Sequence, residues 1–150
     1  AVSAIVNGGR LVTPHFGLYT SSSDGSVVNE FAYSTEEEAI SSQTSEMMKQ
    51  ILEGVVSEGG GTKAYIEGYS IGGKTATSQK LPRGSGKYIS SFIGFAPAEN
   101  PQVIAMCLID EPTGVYYGGT IAAPVVKTLY ENILPYLGIE RSVQLEKNSD

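Results

Sequence analysis

The chain has 150 residues, of which 41% are hydrophobic and 17% are charged, a composition typical of a globular protein with one buried core. Its net charge of -6 argues against a nucleic-acid partner, because phosphate binding requires clustered Lys and Arg. The longest apolar run, Val103–Ile109, is too short to cross a bilayer, and the single cysteine, Cys107, excludes an intrachain disulfide.

The first part of the chain is predicted to hold the end of a helix and then a β-hairpin. The segment Ala1–Val6 meets a helix stop signal in the Asn-Gly-Gly of residues 7–9. The runs Phe16–Thr20 and Val27–Tyr33 flank a turn that contains Asp24 followed by glycine, which is typical of a hairpin.

A helix is predicted next. Apolar residues recur at helical spacing from Met47 to Val56 and give one apolar face. Ser41 or Ser42 is expected to cap its start, because a serine side-chain oxygen accepts hydrogen bonds from first-turn amides. The three consecutive glycines at residues 59–61 are expected to end it.

Extended segments dominate the region after this helix. Tyr65–Ser70 and Lys74–Gln79 are predicted to be extended, and Tyr88–Ala96 and Val103–Asp110 follow as two further runs. Residues 97–102 are too few to form a crossover helix between these last two runs, so the two are expected to pair antiparallel. We expect Lys74–Gln79 to pair antiparallel with Tyr88–Ala96 as well.

The last predicted element is a helix within Gly119–Leu137, where apolar residues recur at spacings of four. Pro124 lies near its first turn and Gly138 follows its end. Together the elements predict an α+β fold in which helices cover an antiparallel sheet. The remaining segment, Arg141–Asp150, is expected to be a polar tail.

Residues 68–75 match the phosphate-loop pattern G-x-x-x-x-G-K-[ST], so a P-loop nucleotide hydrolase is the main alternative. Val103–Ile109 followed by Asp110 also looks like an apolar strand that ends in a magnesium-binding aspartate. A phosphate loop, however, needs a helix that begins at its Lys-Thr pair and points its amides at the phosphates. Pro82, Gly84 and Gly86 would interrupt a helix at this place.

On a strand, the same residues suggest a different chemistry. Alternate side chains of a strand share a face, so Thr75 and Thr77 would present two hydroxyl groups that can hold a carboxylate. Lys74 adds a positive charge where the strand begins. Hydroxyls, a cation and free edge amides together suit the binding of an acyl substrate.

The segment Gly68–Gln79 resembles the K-[ST]-G strand of class B penicillin-binding proteins, part of the serine acyl-transfer set S-x-x-K, S-x-N and K-[ST]-G. Four other stretches resemble the same family in the same order, namely Ala4–His15, Met47–Gly59, Tyr88–Pro97 and Asp110–Ile139. The likeness is nearest to sporulation- and division-type members. It implies that residues 1–140 are the C-terminal portion of a transpeptidase domain.

The resemblance implies a D-alanyl-D-alanine transpeptidase that cross-links peptidoglycan. Its implied partners are the peptidoglycan stem peptide, β-lactams and the missing N-terminal part of the same domain, in an extracytoplasmic parent that a segment outside this chain anchors to the membrane. Lys74 would shape the field around the nucleophile, Thr75 and Thr77 would bind the substrate carboxylate, and the Thr77 backbone amide would form half of the oxyanion hole. No cofactor is expected, and no metal, because His15 has no partner at ligand spacing.

The chain departs from the family pattern in two respects. Ala76 stands where the family has glycine and adds a methyl group to the strand. No serine has Lys three residues later or Asn two residues later, so S-x-x-K and S-x-N are both absent. We expect these motifs upstream of Ala1 and expect the isolated chain to be inactive. A non-catalytic binding or scaffold domain is the third hypothesis.

Overall fold

The computed structural model describes residues 1–36 and 38–141. The described residues divide into two compact units, one before and one after the junction between Met47 and Met48. The predicted polar tail therefore lies outside the described residues from position 142 onward. In the described part of the first unit, one short helix and four short strands precede position 42. They are α1 (Val2–Val6), β1 (Leu11–Val12), β2 (Tyr19–Ser21), β3 (Val27–Glu30) and β4 (Thr35–Glu36).

The predicted hairpin is confirmed as β2 and β3, which pair antiparallel, although both strands are shorter than their apolar runs suggested. The hydroxyls of Ser22 and Ser26 donate hydrogen bonds to the Asp24 carboxylate and close the turn. These bonds hold the pKa of Asp24 well below its usual range. The β1–β4 pair was not predicted, because strands of two residues are too short to show an alternating pattern.

Helix α2 (Ser42–Ser57) begins and ends where the sequence indicated. The side-chain oxygen of Ser41 accepts a hydrogen bond from the Thr44 amide at 3.1 Å, so Ser41 is the capping residue. At the other end, the Gly61 amide donates to the Val55 carbonyl oxygen at 2.9 Å, within the predicted glycine stop.

The second unit is built on a three-stranded antiparallel sheet with the order β5 (Gly72–Gln79), β6 (Tyr88–Ala96) and β7 (Val103–Asp110). Both predicted pairings are confirmed. In the register, Thr75 lies opposite Phe92, which in turn lies opposite Cys107 on β7. The bounds of β6 and β7 are those that the sequence predicted, while β5 begins two residues earlier, at Gly72.

The prediction that Tyr65–Ser70 is extended was wrong. A single 3-10 turn spans Thr62–Ala64, and an isolated bridge then joins Ile66 to Tyr69 across a tight turn. Gly68 closes this turn with a φ of 82°, a conformation that glycine adopts without strain. Ile66 and Tyr69 are both buried, so the apolar pattern reflects insertion into the core and not pairing in a sheet.

The single predicted C-terminal helix consists of two helices, α3 (Gly118–Ile121) and α4 (Ala123–Tyr136). They meet at Ala122, which is fully buried, and small residues at this join allow the backbone to pack closely in the core. Pro124 lies in the first turn of α4, and Gly138 follows its end with a φ of 70°, as expected. No helix in the described ranges is long and apolar enough to cross a membrane.

Helix α4 covers one face of the sheet and completes the core of the second unit. The Tyr130 hydroxyl is buried there and accepts a hydrogen bond from the Ala105 amide at 3.1 Å. Burial raises the pKa of Tyr130, so its hydroxyl stays neutral. The opposite face of the sheet exposes three apolar side chains of β7, namely Ile104, Met106 and Leu108. The unit is thus an α+β structure with helices on one face of its antiparallel sheet.

Candidate active site on strand β5

Strand β5 carries the residues predicted to form the site. Lys74 and Thr75 lie inside this strand, and the strand continues to Gln79. No helix begins at Thr75, so the amides that a phosphate loop points at its ligand are missing from this position. Asp110, the presumed magnesium ligand of that alternative, instead forms a salt bridge with Lys80 at 2.9 Å. The nucleotide hydrolase interpretation is therefore contradicted by the structure.

Thr75 and Thr77 lie on the same face of β5, as the period of a strand requires. This is the face against which α3 packs. The Thr77 side-chain oxygen accepts a hydrogen bond from the Gly118 amide at 3.1 Å. The methyl carbon of Thr75 lies 3.1 Å from the place where a Cβ on Gly119 would be. Both threonines therefore adjoin the first turn of α3.

The glycine pair at the start of α3 permits this close approach. A Cβ on Gly118 would overlap the carbonyl oxygens of Ala76 and Ser91, and one on Gly119 would overlap the Gly60 carbonyl oxygen. Any side chain at Gly118 would consequently push α3 away from the sheet. Sequence analysis assigned no role to this pair. The only available signal was the occurrence of two adjacent glycines where a helix begins.

The outer edge of β5 presents backbone groups of the two threonines. Just past the strand end, the Lys80 amide donates to the Lys87 carbonyl oxygen at 2.9 Å, and this pair continues the register in which Ala76 lies opposite Ser91, so Ala76 and Ser91 are a hydrogen-bonded pair. Such pairs alternate with unbonded ones along an antiparallel ladder, so Thr75 and Thr77 turn their amides away from β6. Consistent with this, Lys74 Nζ donates a hydrogen bond to the Thr75 carbonyl oxygen at 2.8 Å.

Lys74 and Ala76 occupy the opposite face of β5, and both are exposed. The Ala76 methyl group therefore points away from the hydroxyls of Thr75 and Thr77. The extra methyl that distinguishes this strand from the family pattern does not occupy the space in front of the two hydroxyls.

An aromatic stack leads from β6 to the start of α3. The rings of Tyr88 and Tyr116 are stacked, with centroids 4.1 Å apart and planes 7° from parallel. The ring centroid of Tyr117 lies 4.7 Å from that of Tyr116, and Tyr117 is 58% exposed. The Ser90 hydroxyl donates to the Tyr116 carbonyl oxygen and ties the segment to the sheet. A hydrogen bond with Tyr116 raises the pKa of Tyr117, so its phenol is neutral near pH 7.

Four charged residues join the end of β5 to the ends of β6 and β7. Lys80 Nζ lies 2.9 Å from an Asp110 carboxylate oxygen and 2.8 Å from one of Glu111, and Lys87 Nζ lies 2.9 Å from the other Glu111 oxygen. Hydrogen bonds from Lys80 and Lys87 lower the pKa of Glu111 to about 2. Hydrogen bonds to Glu111, the larger cause, and to Asp110 raise the pKa of Lys80. This cluster connects the β5–β6 loop to the end of β7.

His15, the only histidine of the sequence, lies in the first unit. Its ring stacks on that of Tyr33 with centroids 3.6 Å apart, and its Nδ1 lies 2.8 Å from the Thr13 carbonyl oxygen, to which it donates. These contacts account for the histidine by packing.

Comparison with known proteins agrees with the resemblance of the β5 segment. The family model described as the penicillin-binding protein transpeptidase domain matches residues 1–131. Stage V sporulation protein D of Bacillus subtilis is 41% identical over 98% of this chain, and the chain spans 24% of that protein. A probable peptidoglycan D,D-transpeptidase PenA of Neisseria flavescens is 37% identical over 73% of the chain, which spans 29% of it.

Solved structures show the same fold. The crystal structure of penicillin-binding protein 3 from Mycobacterium tuberculosis complexed with ampicillin superposes with a TM-score of 0.80 at 28% identity. The superposition covers 95% of this chain and 34% of that protein. The D,D-transpeptidase domain of a peptidoglycan glycosyltransferase from Eggerthella lenta gives a TM-score of 0.75, also at 28% identity, over 91% of this chain and 31% of that one.

Proposed function

Since the chain belongs to the penicillin-binding protein transpeptidase family, we propose that it is the C-terminal portion of a D,D-transpeptidase domain that cross-links peptidoglycan. The observation that carries this proposal is the arrangement on β5. Thr75 and Thr77 place two hydroxyls on one face, Lys74 places its charge on the other, and the edge amides of the threonines point outward. These groups suit a substrate that carries a carboxylate and a reactive carbonyl.

The proposed reaction is acyl transfer through a serine that this chain does not contain. The serine oxygen attacks the carbonyl carbon of the penultimate D-alanine of a peptidoglycan stem peptide. An ester bond forms as the bond to the terminal D-alanine breaks, and D-alanine leaves with the serine proton on its amine. An amino group of a second stem peptide then attacks the ester and returns a proton to the serine. A β-lactam would acylate the same serine when its ring amide opens.

Three residues of β5 have a role in this reaction, namely Lys74, Thr75 and Thr77. The hydroxyls of Thr75 and Thr77 donate hydrogen bonds to the terminal carboxylate of the stem peptide or of a β-lactam. The outward backbone amide of Thr77 supports half of the oxyanion hole, and the amide of the nucleophile itself supplies the other half. The Lys74 ammonium group stabilises negative charge near the nucleophile. We assign the nucleophile and its base to another part of the same domain, in a parent anchored outside the cytoplasm.

Labelling with two probes tests the proposal. The full-length parent and the 150-residue chain are each incubated with a fluorescent penicillin and with a labelled ATP. We expect covalent penicillin labelling of the parent, no labelling of the chain alone and no binding of ATP by either. A parent that is not labelled by penicillin would favour the scaffold hypothesis. Stoichiometric mass addition to the chain alone would contradict the assignment of the nucleophile to another segment.

A further inference from the structure

The first turn of α3 obtains a hydrogen-bond acceptor from a distant strand. Tyr117 is the N-cap residue, and its side chain makes no capping hydrogen bond. The Gly118 amide, which has no acceptor within its own helix, donates to the Thr77 side-chain oxygen on β5 at 3.1 Å. Thr77 thus caps a helix that begins 41 residues later in the chain.

This bond restricts the direction of the Thr77 hydroxyl proton. A hydroxyl group donates one hydrogen bond and accepts up to two. Because the Gly118 amide approaches one lone pair of the Thr77 oxygen, the proton must point elsewhere. Among residues 1–36 and 38–141, no acceptor receives it, and the Thr77 side chain is exposed. Thr75 on the same face receives no such bond within these residues.

We propose that the Gly118 amide is a positioning group that orients the Thr77 hydroxyl as a donor toward the substrate carboxylate. This inference rests on the function proposed above for β5. Accepting a bond from an amide also polarises the hydroxyl and strengthens the bond that it donates. Thr77 is then the stronger and Thr75 the weaker of the two carboxylate ligands.

The glycine at position 118 is what makes this contact possible. A Cβ there would overlap the carbonyl oxygens of Ala76 and Ser91, so only glycine brings its amide within hydrogen-bonding distance of Thr77. Substituting Gly118 by alanine would move α3 as well as its amide. A test of the amide alone must therefore leave position 118 without a side chain.

Replacement of the amide by an ester meets this requirement. Glycolic acid in place of Gly118 in the full-length parent removes the N–H and adds no Cβ. The second-order rate of acylation is measured with a penicillin and with the methyl ester of that penicillin. We expect a decrease of about two- to tenfold for the free carboxylate, the range for one net hydrogen bond, and no decrease for the methyl ester.

A thermodynamic cycle separates this positioning role from a structural one. In a Thr77→Val background the ester at 118 should have no further effect, because no hydroxyl remains to be oriented. Glycolic acid at position 119 is the matched control. It makes the Gly118 carbonyl oxygen a weaker hydrogen-bond acceptor for the Ala122 amide, but it leaves the Gly118 amide in place. This control should acylate at the parental rate.

The possible outcomes distinguish the inference from the function on which it rests. The positioning role would be overturned if the ester at position 118 slowed acylation equally with Thr77 and with valine at position 77. It would also be overturned if this ester left the acylation rate unchanged. If Thr77→Val itself acylates at the parental rate, the carboxylate role of Thr77 is wrong, and the positioning role fails with it. Loss of acylation at the control position 119 would assign the effect to α3 folding and also refute the inference.

Discussion

Removal of either hydroxyl on β5 should slow acylation of the full-length parent. Valine in place of Thr75 or Thr77 keeps the branched shape and removes the donor. A hydrogen bond to a charged group contributes about 1.5–3 kcal/mol, and each 1.36 kcal/mol changes a rate tenfold. We expect acylation to slow by roughly ten- to a hundredfold. Thr77→Val should lie at the upper end, because it also removes the acceptor of the Gly118 amide.

The rate is measured with a fluorescent penicillin under second-order conditions. Ala76→Gly is the control, because the Ala76 methyl lies on the opposite face of β5 and both hydroxyls remain. It should change the rate by a few-fold at most. Parental rates in both valine variants, together with a large change in Ala76→Gly, would show that steric fit governs this strand. The assignment of carboxylate binding to the threonines would then be wrong.

Two further predictions concern the scaffold that holds β5. Tyr130→Phe should lower the free energy of unfolding by about 0.5–1.5 kcal/mol, because the core loses the hydrogen bond between the Ala105 amide and the Tyr130 hydroxyl, and denaturant unfolding measures the difference. Glu111 has its pKa lowered from 4.5 to about 2, so its stabilising contribution is complete above pH 4.5 and is lost as the pH falls toward 2. Lys80→Met should move the Glu111 pKa back toward 4.5 in an NMR titration. A Glu111 pKa already near 4.5 in the unmodified protein would contradict the ion-pair geometry.

The antiparallel sheet could be predicted because its connections are short. Residues 97–102 leave no room for a crossover helix, so β6 and β7 have to form a hairpin. The common face of Thr75 and Thr77 also follows from the sequence, since the period of a strand is two. Pro82 and Gly84, which follow β5, argued against a phosphate-loop helix for a reason as local as these.

Predictions failed where tertiary packing determined the local structure. Ile66 and Tyr69 have the apolar pattern of a strand, but they fill the core from a tight turn. The spacing of four in residues 119–137 predicts one helix and gives no sign of the break at Ala122, which depends on how closely its backbone packs. The two-residue strands β1 and β4 have no periodicity to detect.

The sequence by itself determined the residue types of the candidate site, their order on one strand and the faces that they share. Only the tertiary structure decided which partners those faces meet. The contact between Thr77 and the Gly118 amide joins residues 41 positions apart, and no local pattern encodes it. It exists because α3 crosses the sheet at a point where glycine has no Cβ to separate the two backbones. The two-residue period of a strand determines which face a side chain occupies. The hydrogen bonds that this side chain makes depend on how distant segments pack against that face.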